Sequence, residues 1–205
     1  MIWLETRRWD SGTSDQDRAD LEKARDILDR VKTIAAFYNP NQARDARGRW
    51  TSLDVQKAVA HLVANALDPK DPSFDPRKLG HCATKVREAI EAGGIVFDAK
   101  DRPKSGSSKD YGDKLKKYGF SEVVRVGDHR GYPPKGYTLE AGDVVVIKPG
   151  AGTSPHGHMA MFSGHQWISD FRQSIRPGNK DGFWPGDAYR EQEPRYVIYR
   201  HKNKE

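Results

Sequence analysis

The chain has 205 residues, 36% hydrophobic and 31% charged, with 5 Trp, 8 Tyr and 7 Phe. That suits one ordinary domain, with or without an N-terminal appendage, and excludes wholesale disorder. No apolar run approaches the roughly 18 residues of a membrane span, and a single cysteine, Cys82, excludes an intramolecular disulfide and any multi-cysteine zinc or iron–sulfur site. A net charge of +6 fits a polyanionic partner such as nucleic acid, anionic lipid or cell wall, and equally fits plain solubility. Residues 1–10 carry charges without an apolar h-region, so no secretory signal is expected.

Residues 1–14 carry Trp3 and Trp9 between charges and show no period. Over 17–38, Leu21, Ala24, Leu28, Val31, Ala35 and Tyr38 alternate spacings of three and four, which predicts a helix with one apolar seam. Asn39-Pro40 ends it. The polar stretch 41–51, with Arg44, Arg47 and Arg49, reads as a linker. Val55, Val59, Leu62 and Ala66 predict a second helix over 52–67, capped by Ser52. Three prolines make 68–76 a loop. A third helix is expected over 81–92, stopped by Gly93-Gly94, and a short one over 110–118 after a loop at 98–108. From 121 the period becomes strand-like. Segments 121–126, 143–147, 158–162, 166–171 and 195–200 are rich in Val, Ile and aromatics and are divided by Gly, Pro and Asp. Helices first and strands afterwards predict an α+β fold with a mostly antiparallel sheet. The expected division is an N-terminal helical segment and basic linker at 1–50, then one domain at 51–205.

Cys82 opens the third helix. A helix N-terminus carries about half a unit of positive charge, which favours thiolate over thiol, and its free N–H groups offer an oxyanion site. The same residue shares a helical face with Val86, Ala89 and Ile90, which suits a small buried hydrophobe. His158 begins an alternating strand. If 163–165 is a three-residue hairpin loop, Phe162 pairs with Gln166 and His158 falls opposite Asp170, with Cβ atoms ~5 Å apart. A base His beside a carboxylate that fixes its tautomer is half of a catalytic triad, but a one-residue slip breaks the alignment. His156, between Pro155 and Gly157, is expected in a loop. His156 and His158, with Asp170 and Cys82, also admit a metal reading, although His-Glu-x-x-His and Cys-x-x-Cys are absent. Gly142-Asp143 is expected to turn the chain into a fully buried strand. Phe183-Trp184-Pro185-Gly186 and Tyr189 either line a groove or pack a long loop against the body.

Three pieces follow one another in the chain. They are His81-Cys82-Ala83-x-x-Val86-Arg87 with Ala89-Ile90-x-Ala92-Gly93-Gly94, then Gly142-Asp143-Val144-Val145-Val146, then Gly157-His158-Met159-Ala160-Met161-Phe162 with a polar residue twelve positions after the His. This order resembles the CHAP and NlpC-type papain-like cysteine peptidases and amidases of peptidoglycan, most of all the amidase effectors of type VI secretion systems and related phage-borne lysins. The resemblance covers about residues 78–200. It implies a papain-like fold in which a helix carrying the nucleophile Cys82 packs on the sheet. His158 would be the general base and Asp170 the residue orienting it. The Cys82 N–H would help form the oxyanion hole. No metal or organic cofactor is implied.

The same resemblance implies a peptidoglycan substrate and a protective immunity partner over the cleft. It also implies an enzyme made in the cytoplasm and delivered to the periplasm or wall of a target bacterium by a secretion machine or a phage route. It leaves residues 1–76 unexplained, beyond a docking or delivery role for the N-terminal segment. The stretch Arg44-Asp45-Ala46-Arg47-Gly48-Arg49-Trp50-Thr51 resembles a short segment of phage-related proteins without assigning a role. Two other classes stay open. One is a metal-dependent hydrolase built on His156 and His158, sensitive to chelation. The other is a non-catalytic basic virion or nucleic-acid-binding protein, marked by salt-steep DNA binding.

Overall fold

A computed structural model describes residues 52–134 and 136–202. The helix expected over 17–38 and the linker over 41–51 lie outside the described residues. Helix α1, Val55–Asn65, begins at Asp54, whose carboxylate accepts the Lys57 N–H at 3.0 Å. The cap is therefore Asp54 and not Ser52. Leu53 is buried in the core, and the Asp54 N–H donates to Gly93 O at 2.9 Å, so packing fixes where the helix starts.

Helix α2, Cys82–Ala92, follows the proline loop. Val86, Ala89 and Ile90 are fully buried on its inner face, and each large aliphatic contributes roughly 1.5–3 kcal/mol. Helix α3, Gly112–Lys117, is shorter than the expected 110–118, and Leu115 anchors it.

The strands are β1 Phe120–Val126, β2 Val144–Ile147, β3 His158–Phe162, β4 Trp167–Ile168 and β5 Tyr196–His201. Between β4 and β5 lies a helix that the sequence reading did not include, α4, Asp187–Gln192. Six residues are too few to show a helical period. The five strands form one antiparallel sheet in the order β1-β5-β2-β3-β4, so the last strand inserts between the first two.

Both faces of the sheet are covered. Val144, Val146, Met159 and Met161 share a core with α1, α2 and α3, while Val145, Ile147, Ala160 and Phe162 pack with Phe183, Trp184 and Tyr196 on the other side. Burial on two faces is why β2 and β3 read as continuous apolar runs. The result is the expected α+β, papain-like arrangement of a cysteine-bearing helix on an antiparallel sheet.

Asp143 enters β2 fully buried. Its carboxylate accepts Arg200 Nε and Nη2 at 2.7 and 2.8 Å, the Tyr137 hydroxyl at 2.8 Å and the Glu140 N–H at 2.9 Å. This clamp ties β5 to the turn that starts β2. Arg200→Met strands the buried carboxylate and should cost about 3–5 kcal/mol. Urea unfolding of the two proteins measures it, and a loss below 1 kcal/mol would show that the tyrosine and backbone bonds suffice.

Candidate active site

Three residues set the position of Cys82. Gly80 takes a φ of +101°, a conformation that strains any side chain bearing a Cβ. That turn points the N–H groups of Gly80 and His81 at one acceptor, Asp170 Oδ2, at 2.8 Å each. The chain then enters α2, and Cys82 is its first residue. The first N–H groups of a helix have no intrahelical partner, and the helix dipole adds positive potential there.

The Cys82 Sγ lies 3.0 Å from the Ser108 hydroxyl, in a bond that either atom can donate. Burial pushes the Cys82 thiol up. The charge and hydrogen bonding of His158 outweigh it, helped by the Ser108 hydroxyl and the Met159 backbone, and the thiol is held below its ordinary value. Ser108 stands 26 residues from Cys82 in sequence and nothing in its local pattern marked it.

His158 is the first residue of β3 and is 7% exposed. Gly157 places it there. At a φ of +71°, a Cβ on residue 157 would collide with the Ile147 carbonyl oxygen, so only glycine lets the chain pass this close to β2. The imidazole lies near the rings of Tyr189 and Phe171, at centroid distances of 6.1 and 6.4 Å. Its Nε2 is buried and has no hydrogen-bond partner among the described residues.

Asp170 reaches the site by a route the expected hairpin did not contain. The Ser163 Oγ accepts the Gln166 N–H at 3.1 Å and donates to Gln166 O at 2.9 Å, closing a four-residue loop. Gln166 thus belongs to the turn, and Phe162 pairs with Trp167 in place of Gln166. The pairing ends at Met161↔Ile168, after which the Ser169 N–H donates to Phe171 O and the chain folds back. Asp170 is therefore not opposite His158 in the ladder. Its carboxylate accepts from the backbone that precedes Cys82, and it accepts no hydrogen bond from His158 Nε2.

Cys82, His158 and Asp170 nevertheless line one cleft of about 550 Å³, together with Ser108, Phe171 and Tyr189. His156 also borders the cleft, but in a loop, with its Nδ1 2.8 Å from the Ser107 hydroxyl. That bond and the Lys109 N–H to His156 O bond at 3.0 Å tie the 105–110 loop to the 154–157 loop. Among the described residues, no group of three or more His, Cys, Asp and Glu side chains is gathered as a metal site would need, so the grouping of His156 and His158 with Asp170 and Cys82 does not form. The aromatic segment divides. Phe183 and Trp184 pack in the core, with Phe183 stacked on Tyr132 at 3.7 Å, while Tyr189 alone of the aromatics named from that segment faces the cleft.

The balance at Cys82 sets an expected pH dependence. Iodoacetamide should alkylate the wild type with a midpoint below the ordinary thiol value of about 8.5. His158→Ala leaves burial opposed only by weaker groups, so its midpoint should move upward, and Ser108→Ala should move it by less. An unchanged midpoint in His158→Ala would show that His158 does not govern the thiol.

No protein-family model and no curated protein sequence matches the chain. Two solved structures do. One is the native type VI effector–immunity complex Tae3–Tai3 from Ralstonia pickettii, 40% identical, covering 71% of this chain and 97% of that one with a TM-score of 0.50. The other is the selenomethionine form of the same complex, 38% identical, covering 70% and 98% with a TM-score of 0.51. Of the relatives that the motif order resembles, the comparisons thus reach the type VI effectors. At this identity and coverage, the chain belongs to the Tae3 family of type VI effectors.

Proposed function

We propose that this chain is a cysteine amidase that cuts a peptide-stem amide of peptidoglycan after delivery into a target bacterium. The observation that carries the reading is the thiol of Cys82, held below its ordinary value by His158 at the free N-terminus of α2 inside a cleft. Membership of a type VI effector family supports the delivered, antibacterial part of the reading.

The chemistry follows from the side chains. The Cys82 thiolate attacks the amide carbonyl carbon, and the C=O electron pair moves onto oxygen beside the free N–H groups of α2. Collapse breaks the C–N bond, and His158 gives its proton to the leaving amine. Water then attacks the thioester while His158 takes a proton, releasing the carboxylic acid and restoring the thiolate–imidazolium pair. Asp170 acts through the backbone before Cys82, holding Gly80 and His81 so that the sulfur is delivered in one position. The matched structures are effector–immunity complexes, which supports a protective partner that covers this cleft.

Mass spectrometry of digested Gram-negative sacculi tests the reading and names the bond. Wild type should release fragments and Cys82→Ala none, while His158→Ala should lose on the order of 10²–10⁴ in rate. His156→Ala should stay far closer to wild type, because its bond to Ser107 is a loop contact. Asp170→Asn should keep part of the activity, since an amide oxygen still accepts the two N–H groups, and Asp170→Ala should keep less. Turnover by folded Cys82→Ala would refute the thiol mechanism.

Compartment supplies an independent check. Cytoplasmic expression in a Gram-negative host should be tolerated, and the same chain fused to a secretory signal should lyse the cells unless Cys82 is replaced by Ala. Equal killing from both compartments would point away from a wall substrate.

A further inference from the structure

We propose that Gly186 is a specificity-determining residue of the cleft, where the main chain of the substrate peptide lies against a bare Cα in space that a side chain would fill. The inference rests on the cysteine-hydrolase reading and adds to it a wall along which the peptide runs. Gly186 lines the same cleft as Cys82 and His158 and directly precedes α4. Its backbone, at a φ of −170° and a ψ of 174°, is extended, which any residue adopts. A Cβ at this position would meet no atom within 4 Å. Neither backbone conformation nor packing therefore calls for glycine here. The other glycines of the cleft differ. Gly80, Gly106 and Gly157 have φ of +101°, +65° and +71°, where a side chain is strained.

The physics of the fold favours a side chain at 186. Gly186 is the cap residue of α4, a position where Ser, Asp and Asn are preferred because their side chains accept a first-turn N–H, and α4 has no side-chain cap. A glycine also widens the freedom of the unfolded chain, so a side chain at a compatible position stabilises the native state. The chain forgoes both gains at a position on the cleft wall with open space in front of it. Glycine in such a place lets a second backbone approach closely. A cleft of about 550 Å³ is of the size that takes a short peptide. A bulky substituent needs a pocket, whereas a main chain needs a wall free of side chains, so the geometry suits the backbone of a peptide stem.

Gly186→Ser and Gly186→Leu test this on soluble muropeptides prepared from Gram-negative sacculi, with urea unfolding and iodoacetamide alkylation of Cys82 measured alongside. Gly186→Ser should unfold at the same or a higher urea concentration, because it can cap α4. Its KM should rise on the order of 10-fold with kcat near the wild-type value, the effect of crowding a fitted site by a small group, and Gly186→Leu should raise KM further. Alkylation, whose reagent is small, should keep its wild-type rate in both. A wild-type KM in Gly186→Leu, or a loss confined to kcat, would overturn the assignment while wild-type cleavage keeps the hydrolase reading. Slowed alkylation or earlier unfolding of Gly186→Ser would overturn it too, by showing that the residue serves the Cys–His pair or the fold. No cleavage by the wild type would overturn both readings.

Discussion

The two N–H bonds from Gly80 and His81 to the Asp170 carboxylate, each 2.8 Å long, are the constraint on which the site depends. They join segments 90 residues apart and set where α2 begins. The sulfur sits on the first residue of that helix, so a small change in the helix start would rotate it away from His158. Charge-assisted bonds of a carboxylate to backbone N–H groups are about twice as strong as neutral ones, which suits a hinge that must not drift. The Leu67 N–H donates to the Asp170 carbonyl at 2.9 Å, so the loop holding this carboxylate is itself fixed to the chain after α1.

Two loops and the short helix α4 bring side chains to the cleft. The 105–110 loop brings Ser108 to the sulfur, the 154–157 loop leads into His158, and helix α4 brings Tyr189. Each arrives on a firm support. Ser107 and Lys109 bond the 154–157 loop, Gly157 is pressed against β2, and Tyr189 leans on the second core with Phe183 and Trp184. Burial on this scale disfavours charge at Cys82, and His158 reverses that preference. The same desolvation that opposes the thiolate also strengthens its interaction with the imidazole, because charges attract more strongly away from water.

The sheet explains how a chain of this composition tolerates so polar a cavity. Two cores, one on each face, hold the strands, and the buried Asp143–Arg200 clamp fastens the central strands at the end opposite His158's strand partner Ile147. His158, whose buried Nε2 lacks a partner among the described residues, lines the cleft beside Cys82.

Local periodicity determined much of this in the sequence itself. The apolar face of Val86, Ala89 and Ile90 defined α2 with Cys82 at its start, and the alternation in 158–162 defined β3 with His158 at its start. The order of those motifs pointed to a papain-like effector family before any contact was known. Sequence spacing could not decide what met across the fold. The hairpin register slipped by one residue because the Ser163 side chain closed a longer loop, and Asp170 left the ladder to hold the backbone before Cys82. Ser108 carries no pattern of its own, and Tyr189 was indistinguishable from its core neighbours Phe183 and Trp184. Local preference acts through neighbours three or four residues apart, whereas the site is built by loops closing over 26 to 90 residues, and only packing of the two cores decides where those loops meet.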